Sequence, residues 1–324
     1  MTRTEDELIT IDRRDESKPV NEWKKQIIDA GRRRHLSYSM DFDTRSMALE
    51  EPQDSWTDKA KELHLTNQQK VIDGLKSEYG EWEIDQKIEN FKSIGTKPFS
   101  VISYHNQFFD QIRRAFVIGA YYPALVGACA LGERILNHLI LDLRDHYKHT
   151  PEYKKVYKKS SFDSWRIPID TLESWGVLLP KSVIEFNELM SLRHRSIHFN
   201  ESTYMTLKDD ALAAILHLRE IIEQQFTTHG ARPWFIKGTK GHVFIKKEFE
   251  NDPFVQEYFL PTCHFFGPYF SISFAGDFTP QFCDFPNYGE GEWTDEEFAK
   301  VYEEREHDQL AKFPDEVEGS HKLS

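Results

Sequence analysis

The feature that most constrains the fold is a long stretch of helical periodicity between about residues 99 and 226. Four segments within it repeat apolar residues every three or four positions, the spacing that gives a helix one apolar face. Pro123 and Pro180 open the second and third segments, and the first turn is where a helix tolerates proline. Four amphipathic helices of this kind predict an antiparallel helical bundle over residues 98–229.

The residues before this bundle follow a different pattern. Residues 1–65 are polar and charge-mixed, with one amphipathic stretch that is typical of a helix. Residues 66–97 are expected to form a helical lead-in, in which Asn67 caps a helix that ends at Tyr79.

After residue 230 the periodicity changes. Short apolar-aromatic runs at 243–245, 255–260 and 270–274 are separated by Gly and Pro, which is typical of strands. We therefore expect a β-rich module over residues 232–289. An acidic helical tail over residues 290–324 should follow, opened by a capping box that starts at Thr294. The expected fold class is mainly α with a small β-rich C-terminal module.

Composition bounds the compartment and the partners. Three cysteines in 324 residues are too few for a disulfide framework, and no apolar run has the length of a membrane span. The first residues carry acids and no apolar core, so a secretory signal is not expected. These features predict a cytoplasmic protein that does not contact a membrane. The net charge of −13 excludes indiscriminate coating of nucleic acid.

The third helix of the expected bundle ends in an Arg, a polar residue, three further residues and a His. These are Arg193, His194 and, at the end of the motif, His198. The pattern, at this place in a bundle, resembles the motif of the HEPN family of helical domains, and an acid at Glu133 on the second helix also resembles its family equivalent. The resemblance covers residues 99–228. It implies a four-helix HEPN-like bundle, a homodimer, and an endoribonuclease of the toxin or antiphage type.

The chemistry of these residue types agrees with that implication. Metal-free RNA cleavage needs a base for the 2′-hydroxyl proton, and histidine titrates near neutrality. It also needs a cation for the crowded phosphate, and arginine offers a planar charged fork. The expected catalytic residues are Arg193, His198, His194 and Glu133, with no metal and no cofactor. The resemblance implies products with a 2′,3′-cyclic phosphate and a 5′-hydroxyl. Glu133 alternatively forms an ordinary buried ion pair.

A basic, tyrosine-bearing connection follows the second helix and is the expected RNA contact, together with Arg195. Its four clustered lysines are called the lysine quartet below. The lysine quartet consists of Lys154, Lys155, Lys158 and Lys159. The alternative is that this connection is simply a solvated loop.

The motif has a competitor in the same chain. Arg144 and His149 fit the same spacing, but they fall at the end of the second helix, which is the wrong element. Arg193 and His198 are five residues apart, about 140° around a continuous helix, so they converge only if the helix ends near Ser196 or if a dimer completes the site.

Metal-dependent interpretations fit less well. His194 and His198 have a metal-ligand spacing, but Arg195 replaces the Glu of a zinc-protease motif. Two further sets contain metal-ligand residue types, a stripe on the second helix and a loose set in the β-rich module. The stripe is His138, Asp142 and His146, and the loose set is Cys263, His264 and Cys283.

Two functions from different classes therefore remain open. The first is the HEPN-type endoribonuclease, favoured because an inactive domain has no chemical need for both the Arg and the His. The second is a catalytically silent HEPN module for dimerisation or sensing, which binds an antitoxin or another protein partner. The net charge of −13 favours this second function.

Overall fold

The computed structural model describes residues 24, 27–39, 41–162, 164–196, 203–274, 276 and 280–313. It is mainly helical with small antiparallel sheets, as the sequence predicts at this level. The described residues form two compact units. A helical unit spans residues 39–227, and a β unit combines the described residues up to 38 with those from 228 onward.

The helical unit begins with three helices that precede the periodic region. These are α1 (Arg45–Ala48), α2 (Asp58–Tyr79) and α3 (Ile84–Ser93). The expected cap at Asn67 is wrong, because Asn67 lies inside α2. The side chain of Thr57 instead accepts a hydrogen bond from the Ala60 backbone N–H and caps the helix. The lead-in is therefore longer than its apolar pattern indicates.

The remaining helices of this unit coincide with the periodic region. They are α4 (Ser103–Val117), α5 (Tyr121–Leu143), α6 (Tyr153–Val156), α7 (Arg166–Ser174), α8 (Pro180–Ser196) and α9 (Thr203–Phe226). A 3-10 turn, Arg144–Tyr147, continues α5. Helix α5 packs against α4, α8 and α9, so it is the centre of this unit.

Burial in α5 follows its apolar face. Leu125, Leu136 and Leu139 are fully buried, as the helical period requires. Gly132 lets a neighbour approach closely, because a Cβ there would lie 2.7 Å from the Leu189 side chain and 2.9 Å from the Trp165 ring. The close packing of Leu189 and Trp165 against α5 therefore depends on a glycine at position 132.

One helical span among the described residues, Tyr121–Tyr147, is long and apolar enough to cross a membrane. However, 56% of its most apolar window is buried inside the protein, which is the behaviour of a core helix. The structure is therefore consistent with a soluble protein.

The β unit contains two small antiparallel sheets. The first has the order β2-β1-β3 and the second pairs β4 with β5. The strands are β1 (Arg34–Ser37), β2 (Val243–Phe244), β3 (His264–Phe266), β4 (Ser271–Phe274) and β5 (Pro280–Cys283). In the first sheet Leu36 pairs with Phe244 on one side and with His264 on the other. The central strand thus comes from the N-terminal segment, where the sequence pattern gives no strand.

The strand expected at 255–260 is wrong. Asp252 caps α10 (Pro253–Tyr258) by accepting from the Val255 backbone N–H, and Pro253 occupies the first helical position. The apolar run is buried as a short helix, because its local caps outweigh its β propensity. A 3-10 turn, Leu260–Thr262, leads from it into β3.

The core of the β unit is aromatic. Phe244, Phe266, Phe270 and Tyr302 are almost completely buried in one cluster. Tyr302 belongs to α11 (Asp295–Glu304), which starts with the capping box expected at Thr294. This helix ends at Glu304, so it occupies only part of the helical tail expected over residues 290–324.

Candidate functional site

Arg193 lies in the last turn of α8 and contacts two residues from other parts of the helical unit. Its Nη2 atom is 3.1 Å from Glu133 Oε2. Its guanidinium carbon lies 5.7 Å from the centre of the Trp165 ring. Trp165 Nε1 donates a hydrogen bond of 3.0 Å to the same carboxylate oxygen of Glu133. We call this closed set of contacts the Arg193 triangle.

The packing of α5 explains why the triangle forms. Glu133 follows Gly132, against which the Trp165 ring packs, so the glycine lets the indole reach the neighbouring carboxylate. Trp165 is 2% exposed and precedes α7 directly. Its indole N–H would be an unpaired buried donor without Glu133, so the hydrogen bond fixes both side chains.

The Arg193–Glu133 pair is only partly buried. The two side chains are 23% and 32% exposed, so solvent screens their attraction. Glu133 holds one nitrogen of the guanidinium, and the side chain of Arg193 keeps part of its surface in contact with solvent. A partly exposed arginine in fixed orientation is suited to bind phosphate.

The nearby thiol of Cys129 does not add a nucleophile to this site. Burial raises the pKa of Cys129 to about 12, with a smaller upward contribution from Glu133 that the positive charge of Arg193 opposes. The thiol is therefore protonated at neutral pH, and a protonated thiol is a poor nucleophile.

The other motif residues are placed less completely. His198 lies outside the described residues, and the described part of α8 reaches Ser196. His194 is exposed. Arg195 pairs with Asp210 of α9 at 2.9 Å, and Thr206 donates to the same carboxylate. The structure therefore brings Arg193 and Glu133 together and directs Arg195 to a different partner.

The lysine quartet lies on α6 and in the segment after it, and all four residues are exposed. Arg144 holds this segment in place, because its Nη1 donates to the Val156 and Lys159 carbonyl oxygens at 3.3 and 2.7 Å. Trp165 follows Lys159 by six positions in the chain, so their Cα atoms are at most about 21 Å apart.

The competing motif has a structural explanation. Arg144 uses its guanidinium to bind backbone carbonyls, and His149, five residues later in the same connection, is exposed. Tyr147, between them, stacks on Trp175 with ring centres 4.5 Å apart. These contacts order the connection, which is a sufficient reason for Arg144 to be there.

The metal interpretations gain no support from the described residues. Among them, no group of three or more His, Cys, Asp or Glu side chains is placed to hold a metal ion. His138 instead lies edge-to-face against His105, with ring centres 5.2 Å apart. Burial lowers the pKa of His105 to about 4, with smaller contributions from His138 and Arg134. Cys263 and Cys283 are both buried in the β unit, and the Cys283 thiol donates to the Lys312 carbonyl oxygen.

Sequence reasoning found Arg193 and Glu133 but missed Trp165. The only available signal was a tryptophan directly before the α7 helix, and its partner lies 32 residues earlier in the chain. Comparison of the chain with protein-family models, with curated proteins and with solved structures finds no match.

Proposed function

We propose that the helical unit is a HEPN-like four-helix bundle and that this protein is a metal-independent endoribonuclease. The observation that carries the proposal is the Arg193 triangle. It places a partly exposed guanidinium at the end of α8, held by an acid from α5. An arginine in that position, five residues before a histidine, has the composition of a phosphodiester-cleaving site.

The proposed step is an internal attack on the RNA backbone. The 2′-oxygen bonds to phosphorus and the bond to the 5′-oxygen breaks, which leaves a 2′,3′-cyclic phosphate. His198 accepts the 2′-hydroxyl proton, and the leaving 5′-oxygen gains a proton from His194 or from the His198 of a second subunit. Arg193 stabilises the negative charge that develops on the phosphate oxygens, and Glu133 keeps Arg193 in place.

The proposal includes an RNA contact and a cellular role. The lysine quartet and Arg195 supply positive charge in the same unit as the site, although the chain as a whole carries −13. A local cluster of lysines binds phosphates even on an acidic protein, because screening limits the reach of distant charges. The protein would act in the cytoplasm, as a toxin or an antiphage effector.

The decisive experiment is incubation of the purified protein with RNA in EDTA, beside the His198→Ala protein. We expect cleavage that survives chelation, ends that carry a cyclic phosphate, and no cleavage by the variant. Free 3′-hydroxyl ends would exclude attack by the 2′-oxygen. Loss of activity in EDTA that zinc or manganese restores would transfer the proposal to the stripe of His138, Asp142 and His146.

We also propose that the protein is a homodimer with a composite site. Mixing Arg193→Ala and His198→Ala subunits tests this geometry. If each site takes Arg from one chain and His from the other, the mixed dimer has one intact site and recovers part of the activity. A monomer that cleaves at full rate would rule out the composite site.

The second candidate is a catalytically silent bundle that binds a protein partner. Two observations favour it: the net charge of −13, and the pairing of Arg193 with Glu133, which neutralises the cation in the absence of RNA. Under this alternative, neither the wild-type protein nor His198→Ala cleaves RNA. A partner such as an antitoxin protects the bundle from proteolysis.

A further inference from the structure

The helical unit contains a polar cavity whose lining includes none of the residues of the Arg193 triangle. It has a volume of about 350 Å³ and lies between the segment before α1, the end of α2 and one face of α4. We call it the Arg113 pocket. Arg113 and Arg114 line it from α4, Tyr79 lines it from α2, and Thr44 lines it from the segment before α1.

Arg113 is a buried cation without a carboxylate partner. It is 4% exposed, and no acid among the described residues is within ion-pair distance of it. Its Nη atoms donate to the carbonyl oxygens of Ile94 and Gly95, at 3.5 and 2.8 Å, and Phe91 and Phe109 flank it. Burial lowers the pKa of Arg113 to about 10, so it is charged at neutral pH. A buried charge is normally paired.

The acids that line the pocket are engaged by other cations. Lys97 binds Asp41 and, at 2.9 Å, Asp110. Arg45 binds Asp43 at 2.9 Å and Glu78 at 2.8 Å. Asp43 and Asp110 partly compensate the charge of Arg113 through space, but neither carboxylate is within ion-pair distance of it. Arg113 therefore has backbone carbonyl acceptors but no paired carboxylate among the described residues, and it lines the cavity as a buried charge.

A further cation and an aromatic surface complete the cavity. Arg114 is 66% exposed and approaches Glu78 only to 3.6 Å. The Tyr79 hydroxyl is hydrogen-bonded to Glu78, and burial together with this acid raises the pKa of Tyr79 to about 12. Phe42 stacks on Phe99 with ring centres 3.8 Å apart and exposes 36% of its surface. The pocket thus offers donors at one end and a flat apolar surface.

We propose that the Arg113 pocket binds a small organic monoanion, a phosphodiester or a carboxylate, whose oxyanion contacts Arg113 and whose flat body lies on Phe42. The size supports an organic ligand, because about 350 Å³ is the lower end of the range for small-molecule sites. The charge supports a monoanion. The pocket has four acids and four bases, so its own charges already balance. A dianion would exceed that balance by two negative charges and a monoanion by only one, so the pocket favours a monoanion over a dianion. The bases are Arg45, Lys97, Arg113 and Arg114, and the acids are Asp41, Asp43, Glu78 and Asp110.

Isothermal titration of the full chain with four probes tests the proposal. The probes are 3′,5′-cyclic AMP (a phosphodiester monoanion), 2-naphthoate (a flat carboxylate), AMP (a dianion) and adenosine (uncharged). We expect one of the two monoanions to bind, at least about tenfold more tightly than AMP or adenosine, and the one that binds identifies the class. Failure of both monoanions, or equal binding of adenosine, would overturn the proposal.

Variants locate the binding site. Arg113→Met should weaken binding of the preferred probe about tenfold or more, since a hydrogen bond to a charged group is removed. Arg166→Met, at an exposed arginine of α7 outside the pocket, is the matched control and should bind normally. If Arg113→Met does not fold by circular dichroism, Arg114→Met and Thr44→Val carry the test. Unchanged binding in both would place the probe elsewhere and reject the pocket. RNA cleavage is not a readout, so the result is independent of the proposed ribonuclease activity.

Discussion

Arg193→Ala removes a guanidinium that contacts Glu133 and the Trp165 ring. Because the paired side chains are 23% and 32% exposed, the ion pair contributes about 1 kcal/mol or less to stability. The cation–π contact adds about 0.5–1 kcal/mol at a partly exposed position. The free energy of unfolding should therefore fall by about 0.5–2 kcal/mol, which lowers Tm by about 1–8 °C in a unit of this size.

The expected effect on cleavage is much larger than this effect on stability. Removal of one donor to a developing oxyanion typically lowers the rate about 10²–10³-fold. Arg195→Ala is the matched control, because it breaks an ion pair of 2.9 Å with Asp210 at the same end of α8. It should cost a similar amount of stability, weaken RNA binding, and leave the rate at saturating RNA unchanged.

Both quantities are measured on the same protein preparations. Circular dichroism melts give Tm, and single-turnover cleavage of a labelled RNA in EDTA gives the rate of the chemical step. If Arg193→Ala cleaves as fast as the wild-type protein, Arg193 is only a structural partner of Glu133. If its Tm falls by more than about 15 °C, the triangle supports the fold far more than its exposure indicates, and the loss of activity has no catalytic meaning.

Three further outcomes are expected. Charge reversal of the lysine quartet should weaken RNA binding and lower the salt slope of the binding constant by about 0.7 for each phosphate that the quartet no longer neutralises; an unchanged slope would place the RNA elsewhere. His149→Ala should leave turnover unchanged, whereas Arg144→Ala should speed hydrogen exchange in the connection that it ties together. Burial lowers the pKa of His105 and of His242 to about 4, so the unfolded chain binds more protons below about pH 6.5. Stability to urea should thus fall as the pH drops from about 6.5 towards 4, and His105→Gln should flatten that fall; a flat wild-type profile would contradict it.

The sequence predicted the helices of the periodic region because a helical face is a local pattern. Helix α8 begins at Pro180 as expected, and α9 ends at Phe226. The strands were harder to predict. Strand pairing joins residues that are distant in the chain, and each short run has too few residues to show a clear period. Strand β1 was missed for this reason, and the run at 255–260 was assigned to the wrong element because the cap at Asp252 outweighs its propensity.

The candidate site was predictable only where a motif marks it. Arg193 was found from its motif at the end of α8 and Glu133 from the resemblance of its helix, whereas Trp165 enters through packing around Gly132 that no motif indicates. The Arg113 pocket was missed entirely, because the stretch from Asp41 to Trp56 lacks a period and suggests a linker. Its charged residues form a pocket only together with residues of α2 and α4, which lie far from them in the sequence.

Strand β1 has a consequence for how the protein is made. It emerges from the ribosome long before β2 and β3, the two strands between which it pairs. The helical unit, whose described residues are continuous in the chain apart from short gaps, has all of its contacts available first. Since domains generally fold as units during synthesis, β1 stays unpaired until the last third of the chain has been synthesised. A nascent chain stalled before β3 would therefore hold a folded helical unit and a β1 strand with one unpaired edge, which is a site for pairing with another chain.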